Sequence, residues 1–277
     1  MANLMITVAY NGTNYVGWQR QSLPNAYNRS IQGELEQALK RALKEEITLH
    51  GAGRTDAGVH AAGQTASFRT RANIPPENLP MAVNGYLPQD IRIVGCQAME
   101  DEWHARFNAI GKRSCYYLAE QGKPTAFDWQ RLAYPRRKLC FEKIRHAASL
   151  FEGEHNFQRF CVTGNPVRDY KREVYYCSFA PCGIEGSGFP WQTRQHIWRL
   201  TVIGNGFLYK MVRLMMGCLL DIGAGRLQEQ DILTAFQEPG GVIAPPAPAC
   251  GLFMEEVFYD QHRLTNCVLE CQEQDDW

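Results

Sequence analysis

A chain of 277 residues with 45% hydrophobic side chains carries enough apolar material for two modest domains or one large one, which excludes a disordered chain. Its 29 basic and 29 acidic side chains cancel to zero, which excludes a binder coated in positive charge but not a nucleic-acid enzyme with its cations on one face. No run of eighteen apolar residues occurs, and "MANLMITVAY" lacks a basic lead into a long apolar stretch, so the expectation is a soluble, cytoplasmic protein without membrane contact.

In chain order, the first predicted strand is "LMITVAY" (4–10). The helix "SIQGELEQALKRALKEE" (30–46) follows, with Ile31, Leu35, Leu39 and Leu43 on one face behind Ser30 as N-cap. Then come strands at "ITLHG" (47–51) and "TASFRT" (65–70), a weaker helix at "PENLPMAVNGYL" (76–87) and a strand at "IRIVGCQAM" (91–99). The second half starts with a strand at "CYYLAE" (115–120) and a helix at "LCFEKIRHAASLFEG" (139–153) that stops at glycine. Strands at "REVYYCSFA" (172–180) and "IWRLTVIG" (197–204), the apolar helix "GFLYKMVRLMMGCLLDIGAG" (206–225) and a last strand at "LFMEEVFY" (252–259) complete it.

The order βαββαβ thus occurs twice, the split βαβ pattern of ferredoxin-like domains. The predicted fold is α+β, with two ferredoxin-like halves at 1–104 and 105–260 whose antiparallel sheets meet at a central cleft, the usual place for a ligand. The polar, acidic segment 261–277 reads as a poorly ordered tail. Ten cysteines lack any C-x-x-C pair; Cys177/Cys182 and Cys267/Cys271 lie closest, and neither has a second pair at zinc-site spacing. Reduced thiols packed as small hydrophobes are expected, and no metal.

The stretch "GAGRTDAGVHA" (51–61) sets Asp56 and Arg54 among three glycines in the loop between the second and third strands. It opens like a dinucleotide fingerprint, but Asp56 holds the third glycine position, where a carboxylate would repel a pyrophosphate. "IGKRS" (110–114) has the Gly-Lys of a phosphate loop without the earlier glycine, Arg106 standing there. Neither G-x-S-x-G nor H-E-x-x-H occurs, so no cofactor is called for, nucleotide or other. Arg54 could pair with Asp56 or reach a phosphate or base, and an Asp-Gly turn could also be no more than solvated.

The pattern "GAGRTDAGVHAAGQ" (51–64) resembles the motif of the TruA-type tRNA pseudouridine synthases. "YNGTNYVGWQRQ" (10–21), "SIQGELEQAL" (30–39), "NGYLPQDIRI" (84–93) and "WHARFNAIGKR" (103–113) resemble its further segments in order. So do "FEGEHNFQRF" (151–160), "GNGFLYKMVRLMMG" (204–217) and "APACGLFMEEVFY" (247–259). The resemblance implies isomerisation of uridine to pseudouridine in the tRNA anticodon arm (positions 38–40), without cofactor, by a homodimer with tRNA as partner. It assigns Asp56 as the catalytic carboxylate, acting as nucleophile or as base. Arg213 is implied as the ion-pair partner that keeps that carboxylate charged, which suits a guanidinium. Arg54 is implied as the residue that enters the RNA and helps extrude the base.

Two departures stand out. Asn11 replaces an aspartate, and Ser114 occupies the position of a tyrosine that stacks on the target uracil. Serine cannot stack, so the alternative is an RNA-binding member with altered specificity or without turnover; restoring the ring by Ser114→Tyr is expected to be harmless or to speed the reaction. Tyr116, two residues on, shares Ser114's strand face and joins it, His60 and Lys210 as candidate pocket residues, although Tyr116 could instead be core and His60 a loop brace. Lys210 and Arg213 are read as sharing a helix face, Trp18 as core, and the basic stretches "YPRRK" (134–138) and "VRDYKRE" (167–173) as either RNA-facing or merely solvated.

Overall fold

The computed structural model describes residues 1–21, 29–126, 128–162, 169–182 and 196–275. The segment "PCGIEGSGFPWQTRQH" (181–196), expected as the second half's counterpart of the loop 51–61, lies outside these residues except at its ends, as do Val167 and Arg168 of the second basic stretch. The chain forms two compact units, Met1–Ile110 with Phe253–Tyr259, and Gly111–Leu252 with the residues from Asp260 onward.

The first unit contains β1 (Ala2–Tyr10), α1 (Ile31–Leu43), β2 (His50–Gly51), β3 (His60–Thr70), α2 (Leu79–Asn84) and β4 (Ile91–Met99). Its strands run β4-β1-β3 with β2 on the far side of β3, all antiparallel, which is the ferredoxin-like order. Alternation along β1 buries Leu4, Ile6 and Val8 on one face, against Ile31, Leu35 and Leu39 of α1 and Leu79 and Val83 of α2. Ser30 caps α1, its hydroxyl accepting from the Gly33 amide at 3.2 Å, and Lys44 ends it in the left-handed region at φ 59°.

The second unit contains β5 (Gly111–Ala119), α3 (Phe141–Ala148), β6 (Gly153–Asn156), β7 (Lys171–Cys182), β8 (Ile197–Gly204), α4 (Met211–Gly223) and α5 (Glu229–Gln237). The antiparallel strands run β5-β8-β7-β6. Phe151, Phe157 and Phe160 pack with Phe236 of α5 in edge-on and tilted contacts, and Cys140 and Ile144 meet Gly223, tying α3 to α4.

Five expectations are corrected. The units divide at Ile110/Gly111 rather than at 104/105. The last strand, β9 (Leu252–Phe258), belongs almost wholly to the first unit, because His60 and Ala61 of β3 pair in parallel with Phe253 and Met254. That pairing also extends β3 back to His60, five residues earlier than its β-branched content suggests. The segment after residue 260 is a helix, α6 (Gln261–Asp275), which buries Leu264, Cys267 and Cys271 at helical spacing. It is tied to the second-unit sheet: Tyr176 donates to the Cys271 carbonyl at 3.2 Å and Arg113 to the Cys267 sulfur at 3.2 Å. The helix expected from 206 starts at Met211, and Lys210 before it takes a left-handed backbone at φ 62°, so Lys210 does not share a helix face with Arg213.

Candidate active site

Asp56 sits in the loop Ala52–Val59 between β2 and β3, half-buried within the first unit. A strap formed by residues 10–18 holds the loop from one side. The Trp18 amide donates to the Thr55 carbonyl at 3.0 Å, the Gly58 amide to the Tyr15 carbonyl at 3.4 Å, and Gly17 forms a single β-bridge with Asp56. Tyr10 and Thr55 share a hydroxyl hydrogen bond of 2.8 Å, and burial pushes the Tyr10 phenol up, so it stays protonated. From the other side, the Ala52 amide donates to the Thr65 carbonyl at 2.8 Å and the Gln64 side chain to the Gly53 carbonyl at 3.0 Å. The loop is thereby fixed at residues 52, 53, 55, 56 and 58, and the carboxylate is presented from a backbone with little freedom to move.

Two glycines allow this fit. A Cβ on Gly12 would stand 1.9 Å from the Val59 carbonyl oxygen, and one on Gly17 2.5 Å from that of Thr55, with Gly17 also at φ +109°. Asn11 serves where the family has aspartate: its side-chain oxygen accepts from the Thr13 amide at 3.1 Å, a turn bond that either residue makes. The strap is anchored beyond the loop as well. Tyr15 donates to the Asp90 carboxylate at 2.5 Å, and the Ile31 and Gln32 amides at the start of α1 donate to the Gly17 and Trp18 carbonyls. Trp18 is 2% exposed and part of the core.

The remaining candidates separate. Arg54, two residues before Asp56 on the same loop, is exposed. His60 is corrected from pocket residue to brace: it is 1% exposed, its Nδ1 accepts from the Gly12 amide at 3.1 Å, and its ring stacks on Phe253 at 4.5 Å. An Nδ1 that accepts a hydrogen bond belongs to a neutral imidazole protonated at Nε2. Tyr116 is likewise corrected to core. It has no exposed surface, its hydroxyl donates to the Pro248 carbonyl at 3.0 Å, and Gly251 lies against its ring; burial raises its phenol well above the ordinary range.

Ser114, in β5 opposite Val202, is buried at 5% exposure. Arg213 lies in the first turn of α4, half-buried, clamped to the 247 segment: its Nε donates to the Ala247 carbonyl at 2.9 Å while its own carbonyl accepts from the Ala247 amide at 2.8 Å. Gly217 lets α4 approach the same segment, since a Cβ there would lie 1.9 Å from the Pro245 oxygen. The Lys210 ammonium stands 5.1 Å over the exposed Tyr209 ring. Of the basic stretches, Arg136, Arg137 and Lys138 are exposed, whereas Lys171 pairs at the surface with Glu154. Sequence reasoning missed the Tyr10–Thr55 clamp and the Phe253 stack; the glycines of 10–21 were the available signal for the first, and nothing pointed to the second.

A family model described as tRNA pseudouridine synthase matches residues 6–108 and 147–260. The tRNA pseudouridine synthase A of Moorella thermoacetica is 41% identical over 263 residues, spanning 94% of this chain and 100% of the relative. The tRNA pseudouridine synthase A 2 of Clostridium perfringens is 34% identical over 263 residues with the same coverage. That of Ruminiclostridium cellulolyticum is 36% identical over 267 residues, again with 94% and 100% covered. With a motif-bearing loop built as described and similarity along nearly its whole length, the chain belongs to the tRNA pseudouridine synthase family.

Proposed function

We propose that the protein isomerises uridine to pseudouridine in the anticodon arm of tRNA, at positions 38–40, with Asp56 as the catalytic carboxylate. The observation that carries this reading is the fixed loop: Thr55 and Gly58 on either side of Asp56 are hydrogen-bonded to the strap, so the carboxyl group needs little reorganisation when a nucleoside arrives. In the reaction the N1–C1′ bond breaks, the uracil turns, and a C5–C1′ bond forms. The proton leaves C5 and N1 gains one, so no oxidant, reductant or cofactor enters the balance. The carboxylate acts either by attacking the sugar or by removing a proton from it.

Arg54, exposed on the same loop, is assigned to the RNA side, filling the space a flipped base leaves and offsetting part of the few kcal/mol that extrusion costs. The role proposed for Arg213 is the counter-charge that keeps the carboxylate ionised, a task for which a permanently charged guanidinium suits. A homodimer acting in the cytoplasm completes the proposal, to be checked by sedimentation equilibrium.

The deciding experiment is tritium release from tRNA transcribed with 5-³H-uridine. Release that reaches a whole number of tritons per tRNA supports the reading, and pseudouridine mapping locates the sites. Binding of tRNA with no release would assign a carrier role instead, with Ser114 in the place of the ring.

A further inference from the structure

The turn after β4, residues 104–108 in "WHARFNAIGKR", presents a feature the catalytic loop does not use. Phe107 is 77% exposed, yet the backbone that carries it is firmly held. His104 donates its amide to the Asn108 side-chain oxygen at 2.9 Å, and the Asn108 amide donates back to the His104 carbonyl at 3.1 Å. The Arg106 amide donates to the His104 Nδ1 at 3.0 Å. Ala105 is bound on both sides, its amide donating to the Ser67 hydroxyl at 3.1 Å and its carbonyl accepting from Tyr259 at 2.8 Å.

A rigid turn holding a large apolar ring in water costs solvation free energy, and no described residue of the first unit covers the ring. Its surroundings indicate what does. The His104 ring lies 4.4 Å from the Phe107 ring and 5.1 Å from that of His50, and the Arg106 guanidinium stands 5.8 Å from the Phe107 centroid. The group is aromatic and cationic with no aliphatic neighbour exposed in the turn, which is the composition that stacks nucleobases and holds phosphates. Burial, with His50 and Arg106 nearby, lowers the His104 pKa, as expected where positive charge prevails; Asp101 and Glu102, which precede the turn, are exposed. Its location fits too. His50 opens β2 opposite Ser67, the residue that anchors Ala105, and the loop bearing Asp56 begins two residues after His50.

We infer that the Arg106–Phe107 turn is a second RNA-contact site, on which an unpaired base of the tRNA stacks against Phe107 while Arg106 meets the adjoining phosphate. This rests on tRNA being the substrate. The preformed turn keeps the ordering cost of the contact low.

The test is tRNA affinity of the full-length protein by filter binding, with tritium release run in parallel and thermal melting to confirm folding. Phe107→Ala is expected to weaken binding about 5- to 150-fold, the range for losing one stacked base. Phe107→Trp is expected to stay within about threefold of the unaltered protein, and Phe107→Leu, apolar but without a π-face, to remain weak. Arg106→Ala should lower the slope of log affinity against log salt by about one. Unchanged affinity in Phe107→Ala overturns the inference. So does a variant whose self-association changes while its tRNA affinity does not, since the ring then serves a second copy of the chain. An unaltered protein that releases tritium beside an indifferent Phe107→Ala refutes this site alone; failure of the unaltered protein to bind tRNA or release tritium refutes the tRNA reading with it.

Discussion

Substituting Gly17 by alanine tests whether the strap sets the position of Asp56. The residue sits at φ +109°, a region where a side chain costs about 1–2 kcal/mol or more. Its new Cβ would stand 2.5 Å from the Thr55 carbonyl oxygen and must retreat about 0.9 Å to reach an ordinary contact of 3.4 Å. The Cβ is fixed rigidly to its own backbone and the atom it meets is a backbone carbonyl, so the displacement passes to the peptide joining Thr55 to Asp56 and to the Trp18–Thr55 hydrogen bond. Strain and the loosened bond together cost about 2–4 kcal/mol, a fall in Tm of roughly 4–16 °C at about 2–4 °C per kcal/mol. A carboxylate moved by about 1 Å is expected to lose on the order of 100-fold in turnover. The assay is single-turnover tritium release below the variant's melting temperature, with Gly85→Ala as control, because a Cβ there meets nothing within 4 Å. Gly17→Ala that melts low but turns over like the unaltered protein would refute the link between strap and carboxylate.

His60→Phe keeps a ring against Phe253 but leaves the buried Gly12 amide without its acceptor, so thermal melting should show a loss of about 1–3 kcal/mol. Ser114→Tyr must insert a ring at a position only 5% exposed; the expectation of harmless restoration is replaced by a stability loss of about 1–3 kcal/mol without faster turnover, measured by melting and tritium release. His104, its folded-state pKa held below the ordinary imidazole value mainly by burial, binds its proton more weakly folded than unfolded. Its contribution is therefore complete above that value and lost as pH falls through the lowered one; urea titrations across that window should show a decline that His104→Gln flattens.

The elements that sequence reasoning recovered are those whose signal is local. Ile31, Leu35 and Leu39 announce α1 by spacing, and β1 alternates as a half-buried strand must. The tail escaped because α6 hides its stripe among acids and amides, two of the three buried positions among its described residues being cysteines. β9 was legible as a strand, but its pairing with β3 is a long-range choice that periodicity does not encode. At the site, Asp56 and Arg54 came from a motif, since an aspartate among glycines is chemically also an ordinary turn. The strap that immobilises them was not legible, because its bonds run mostly between backbone groups distant in sequence. The shared face assigned to Lys210 and Arg213 failed on one left-handed residue at the helix start, which side-chain spacing cannot reveal.

Everything proposed for the reaction turns on the Asp56 carboxyl group. Asp56→Asn preserves size and the loop's backbone bonds while removing the charge, so it should bind tRNA within a few fold of the unaltered protein and release no tritium even at one enzyme per tRNA over hours. Measurable release at anything near the unaltered rate, from protein shown by mass spectrometry to retain the asparagine, would contradict the account.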